Sequence, residues 1–250
     1  MRRLLAALVL FWSPLFAADP VIESVTETTD TSPTTSAIVD LPSTVEPDDL
    51  LLLLIRFESD STSATLSSPW VTLDVTGGAA ALSGYLDADG TEDGGTVTVT
   101  LGAAPASWAA QVFRISNWDT GQSPEGNGWT NPNIGGTSAT PALASISPSW
   151  GAADNLFITV LGHTDDGASV SAVPGGWTKQ ADTLSDAGAN AKTTLSSAYL
   201  FDSASTTVDP DSTSTWSLSE AEVNFETTIA IKGGAGLSAA AEYYRRLLSQ

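Results

Sequence analysis

An internal repeat constrains this chain more than any other feature. Leu41-Pro42-Ser43-Thr44-Val45-Glu46-Pro47-Asp48-Asp49-Leu50 aligns with Ser147-Pro148-Ser149-Trp150-Gly151-Ala152-Ala153-Asp154-Asn155-Leu156 at an offset of 106 residues, through Pro42/Pro148, Ser43/Ser149 and Asp48/Asp154. The pairing continues. Leu50 to Ile55 overlays Leu156 to Leu161, Pro69-Trp70-Val71-Thr72 overlays the Gly176-Trp177-Thr178 region, and Ser83-Gly84-Tyr85-Leu86 overlays Ser197-Ala198-Tyr199-Leu200. Thr96 to Leu101 then matches Thr213 to Leu218, and Trp108 to Ile115 matches Phe225 to Lys232. The offset drifts only in stretches rich in Gly, Ser and Asp, where loops absorb insertions. A chain of 250 residues built this way folds as two like units.

Within each unit the periodicity is that of strands. Thr96 to Leu101 alternates, setting Val97, Val99 and Leu101 on one face and three threonines on the other. Leu50 to Ile55 is apolar on both faces and too short for an ordinary helix, so it reads as a central strand covered on both sides. Asp89-Gly90, Asp93-Gly94-Gly95, Asp166-Gly167 and Pro174-Gly175-Gly176 supply the turns. The expected fold is all-β: two tandem antiparallel β-sandwich domains, Ig-like or jelly-roll-like, from an internal duplication. Expected boundaries are residues 18–118 and 136–233, with a linker at 119–135. A tail at 234–250 carries a short C-terminal helix, because Leu237, Ala241, Tyr244 and Leu248 fall along one side.

The N-terminus reads as an export signal at residues 1–17. Arg2-Arg3 precede a nine-residue apolar run, Leu4 to Trp12, and a small-residue exit at Ala17-Ala18. That run is short of the roughly 20 residues a membrane-crossing helix requires. No cysteine follows it, which excludes a lipoprotein, and the absence of cysteine throughout excludes disulfides, thiolate nucleophiles and Cys-ligated metals. Against 29 acidic residues there are 9 basic ones, a net charge of -20, and nucleic acid is therefore not an expected partner.

The order Pro42…Asp48-Asp49-Leu50, Pro69-Trp70-Val71-Thr72, Tyr85…Asp89-Gly90-Thr91-Glu92, then Trp108-Ala109-Ala110 through Phe113-Arg114-Ile115, repeated to Thr228-Ile229-Ala230-Ile231-Lys232, resembles uncharacterised tandem β-sandwich repeat proteins. Such proteins occur among structural proteins of environmental tailed phages and among secreted bacterial surface proteins. The resemblance covers residues 20–233 and implies virion or cell-surface structure and adhesion. The signal segment departs from the virion setting and points to the cell-exported members.

Candidate sites are few. His163, the single histidine, falls opposite Phe57 in the repeat at a strand end, a structural position, and no Gly-x-Ser-x-Gly elbow accompanies the serines. Carboxylates such as Glu58, Asp60, Glu125, Asp165 and Asp166 read as solvated loop charge rather than as a glycosidase pair. Asp87-Ala88-Asp89-Gly90-Thr91-Glu92-Asp93 opens like a calcium loop, making Asp87, Asp89 and Glu92 candidate Ca²⁺ ligands. The complete twelve-residue pattern is absent, and a hairpin turn between the Tyr85 and Thr96 strands is the plainer reading. Trp70 and Trp177 are copies of each other and read as packing positions. Trp118 and Trp129 lie in the polar junction and are candidates for stacking on sugar rings, or else for clamping the linker against the sandwiches.

The expected function is that of a non-enzymatic, secreted or cell-surface structural or adhesive protein. The alternatives are a phage tail-fibre or head-decoration protein and a carbohydrate-binding module. Expected partners are proteins, further copies of the chain or glycans, with no transmembrane segment once the signal is removed.

Overall fold

The structure, a computed structural model, describes residues 19–234 apart from 33, 59–62, 77–79, 131–136, 144, 165–167, 187, 189–191 and 203–214. The expected signal segment and the expected C-terminal helix lie outside the described residues. Among the described residues fifteen strands follow one another: β1 (Val21–Asp30), β2 (Ser36–Asp40), β3 (Leu50–Phe57), β4 (Ala64–Leu66), β5 (Val71–Val75), β6 (Ala81–Asp87), β7 (Thr96–Leu101), β8 (Trp108–Ser116), β9 (Glu125–Gly126), β10 (Asn155–His163), β11 (Val170–Ala172), β12 (Thr178–Asp186), β13 (Lys192–Asp202), β14 (Ser217–Leu218) and β15 (Asn224–Lys232). No helix occurs among the described residues, so none there could cross a membrane.

All pairings are antiparallel. Two five-stranded sheets have the orders β1-β8-β3-β6-β5 and β12-β13-β10-β15-β9, and two smaller sheets have the orders β2-β7-β4 and β11-β14. Side-chain alternation sorts the apolar residues into three layers. From β3, Leu51, Leu53, Ile55 and Phe57 pack with Val97, Val99 and Leu101 of β7, as in a β-sandwich. The opposite face of β3, Leu50, Leu52 and Leu54, packs with Leu156, Ile158 and Val160 of β10 and Ile229 and Ile231 of β15. A third layer joins Phe157 and Leu161 of β10 to Leu218 of β14 and the adjacent Trp216. The molecule is therefore a four-layer stack, with the two large sheets face to face at its centre.

This stacking explains why β3 is apolar on both faces and wholly buried along its length. It also explains the equally complete burial of β10. On β7 the alternation expected from sequence is present, with Val97, Val99 and Leu101 buried under outward-turned threonines.

One local expectation is corrected. β6 and β7 do not form a hairpin: β6 pairs with β3 and β5, whereas β7 pairs with β2 and β4. The acidic segment between them is thus an arch from one sheet to the other. Its Gly90 has φ 85°, a conformation costly for a residue with a Cβ, and an added Cβ would also meet Pro47 Cδ at 2.9 Å. The polar stretch after β8 is paired where it is described. Trp118 bridges Gly233, β9 pairs with Ile229 and Ala230, and Thr130 bridges Glu226, so the stretch forms the edge of the second large sheet.

Candidate functional site

A groove of about 370 Å³ lies where the first large sheet meets the edge segment after β8. Its floor and walls come from Pro69, Val71, Tyr85, Leu86, Asp87, Trp118, Thr120, Gly121 and Ser123. The Trp118 indole is held in place because its Nε1 donates to the Asp48 carbonyl at 2.9 Å, and Tyr85 donates its hydroxyl to Ser123 Oγ at 2.9 Å across one side. A mainly apolar surface with a few fixed polar groups at its rim is the usual make-up of a small binding site.

Asp87 stands at this rim. Partial burial of its carboxyl, then the nearby Asp48 and Glu92 carboxylates, raise its pKa from the ordinary value. The other two candidate metal ligands are turned to the arch itself. Asp89 Oδ1 accepts from the Thr91 hydroxyl at 2.6 Å and the Thr91 N–H at 2.9 Å, which lower its pKa. Glu92 accepts from the N–H groups of Asp89 and Gly90 at 3.3 and 3.0 Å. Asp89 and Glu92 thus brace a left-handed turn in the manner of local side-chain caps. Among the described residues, no group of three or more His, Cys, Asp or Glu side chains is arranged to hold a metal ion.

The two tryptophans of the junction part company. Trp118 and Trp129 are only 6% and 7% exposed and both belong to the central apolar layer, so neither ring is a free stacking platform. Trp118 still borders the groove, beside Asp87. Trp129 does not; its N–H donates to Asp74 Oδ2 at 2.6 Å, tying the segment after β9 to β5. The packing explains why sequence left both rings open to either use: a tryptophan flanked by Asn and Gly carries no local sign of the sheet that will cover it.

His163 is fully buried at the end of β10, in register with Asn224 of β15 and Thr194 of β13. Asn224 Nδ2 donates to the carbonyls of Ser138 and Glu222 at 3.0 and 2.8 Å, and the fully buried Glu226 lies two residues further along the same face. Glu125 accepts from the Ser149 N–H at 2.7 Å. Of the loop carboxylates named from sequence, Asp60, Asp165 and Asp166 lie outside the described residues.

Several polar residues without a sequence motif prove structurally placed. Gln111 of β8 donates to Thr183 Oγ1 at 3.0 Å and to the Leu195 carbonyl at 2.8 Å across the central seam. Thr183 in turn donates to Glu27 of β1 at 2.6 Å, and Ser185 donates to the Asp30 carbonyl at 2.8 Å. Ser107 and Thr193 hydroxyls meet at 2.8 Å. Arg56 crosses the seam to lie over the Phe225 ring at 4.6 Å, where Gly162 leaves room for its stem. Arg114 and Asp49 form a partly buried ion pair at 2.5 Å. Lys232 bonds Asp119 at 2.9 Å and draws the Asp119 pKa down. Only the alternation of charged or amide residues with apolar ones, as at Gln111 and Arg114 within β8, could have signalled these roles.

In comparisons with known proteins, no family model, no curated protein and no solved structure matches this chain.

Proposed function

We propose that this is a non-enzymatic structural or adhesive protein of a cell surface or extracellular assembly, made of two β-sandwich domains descended from a duplication. The observation that carries this reading is the central seam. The strands β5-β6-β3-β8 of one large sheet have counterparts β12-β13-β10-β15 in the other, in the same order. Across the seam β1 lies against β12 and β8 against β13, while β5 lies against β9, so the two orders run in opposite directions. Two like units packed about a two-fold axis would meet in this way. Three buried polar groups, Gln111, Thr183 and Arg56, join sheets and loops to one another. Such use of polar chemistry favours a rigid block over a reaction site. Loss of Arg2 and Arg3 with the signal takes the net charge from -20 to -22, and a strong charge of one sign favours solubility of an exported block.

Export is tested by determining the N-terminus and intact mass of the protein purified from its native source. Cleavage after Ala17 is expected, together with recovery in the envelope or extracellular fraction. An intact Met1 in cytoplasmic material would overturn the reading.

A further inference from the structure

The groove beside Trp118 lies close to the place where the described chain ends. Gly234 donates its N–H to the Asn117 carbonyl at 2.7 Å, and a Cβ on Gly234 would lie 2.8 Å from the Trp118 carbonyl oxygen. Sixteen residues follow, containing Tyr243-Tyr244-Arg245-Arg246-Leu247-Leu248. Ten residues separate Gly234 from Arg245, a reach of up to about 36 Å over the extended chain.

Charge narrows the choice of occupant. Every described cation is engaged within the fold: Arg114 by Asp49, Lys179 by Asp182, Lys192 by Asp186, Lys232 by Asp119, and Arg56 by the Phe57 and Ala80 carbonyls. The remaining basic residues of the chain are Arg2 and Arg3, in the expected signal, and Arg245 and Arg246. Asp48 and Asp87 are exposed at or beside the groove and have no cationic partner among the described residues. The Tyr and Leu residues flanking the two arginines match the apolar wall made by Pro69, Val71, Tyr85 and Trp118.

We propose that this groove is the docking site of the chain's own C-terminal segment, Tyr243 to Leu248, with Arg245 and Arg246 set against Asp87 and Asp48. Tethering makes the encounter intramolecular, so a contact too weak to hold a free peptide suffices.

The absence of cysteine gives a clean test in the full chain. Thr120→Cys at the groove and Ser249→Cys beside the segment are introduced together, and disulfide formation under mild oxidation is timed. An intramolecular disulfide in the monomer is expected. Arg245→Glu with Arg246→Glu should slow it about fivefold, as loss of a surface ion pair does, and Asp87→Lys should restore the rate in that background. Should Asp87→Lys fail to fold, raising the salt to about 1 M serves instead, and should slow the charge-intact protein by a similar factor. Formation at the same rate whatever the charges, no disulfide at all, or disulfides only between two copies would each overturn the proposal.

Discussion

Leu52 tests whether the central seam makes the two halves a single cooperative unit. Its side chain is fully buried, lies opposite Tyr85 and Phe113 in register, and points into the layer shared with Leu156, Ile158 and Ile229. Truncation in Leu52→Ala removes three carbons from a site closed on every side, for which losses run from about 2 to 5 kcal/mol. A cost of about 3 kcal/mol lowers Tm by about 6–12 °C in a protein of this size. The informative assay is amide hydrogen exchange on β10, a strand that contains none of the altered atoms. If the halves unfold together, β10 amides that exchange through global opening lose the same 3 kcal/mol, about 150-fold in protection. Two separate melting transitions, with β10 protected as in the unaltered protein, would refute the reasoning. They would show that each half stands on its own sandwich core.

Other perturbations have distinct expected outcomes. Gly162→Val should cost about 1–3 kcal/mol in urea denaturation, because its Cβ would approach Arg56 Cδ at 2.9 Å and force the seam apart; no loss would mean that Arg56 moves aside freely. Arg114→Ala leaves Asp49, with a side chain only 5% exposed, without its cation; since Asp49 keeps the Glu46 N–H, the expected loss is about 2 kcal/mol at neutral pH, read by the same denaturation. With Arg245 and Arg246 both replaced by Ala, Asp87→Asn should stabilise slightly at pH 7. The raised pKa of Asp87 means that its charged form is disfavoured in the folded state, a penalty present above the folded pKa and gone below the ordinary 3.8, so the gain should vanish in denaturation at pH 3.

Local pattern made some of this structure readable, and the limits have physical causes. The strict alternation of Thr96 to Leu101 announces one covered face, and β7 has one. The two-faced run from Leu50 to Phe57 announces burial on both sides, which the stack supplies. Pairing partners are a different matter. Tyr85 and Thr96 lie close in sequence, but whether their strands form a hairpin or an arch depends on where β3 and β2 wait to receive them. That information is non-local. Trp118 and Trp129 illustrate the same limit, since their neighbours are polar while their covering surface comes from residues such as Leu52 and Ile229. At the groove, sequence named Asp87 and Trp118 separately, one for metal and one for sugar, and only folding puts them on a common rim. Gln111 and Thr183 give little local sign of burial, because an amide and a hydroxyl in strands normally face water.

The doubly covered β3 also places a demand on timing. When synthesis reaches Ser116, the first large sheet has every strand it needs, yet Leu50, Leu52, Leu54, Phe113 and Ile115 have nothing to cover them. The strand that covers them, β10, is finished only at His163, which is about 2–9 s later at ordinary translation rates. For that interval the newborn half carries a flat, greasy face able to stick to any neighbouring nascent chain. A chain that crosses a membrane unfolded, and folds only once both halves are on the far side, avoids the interval altogether.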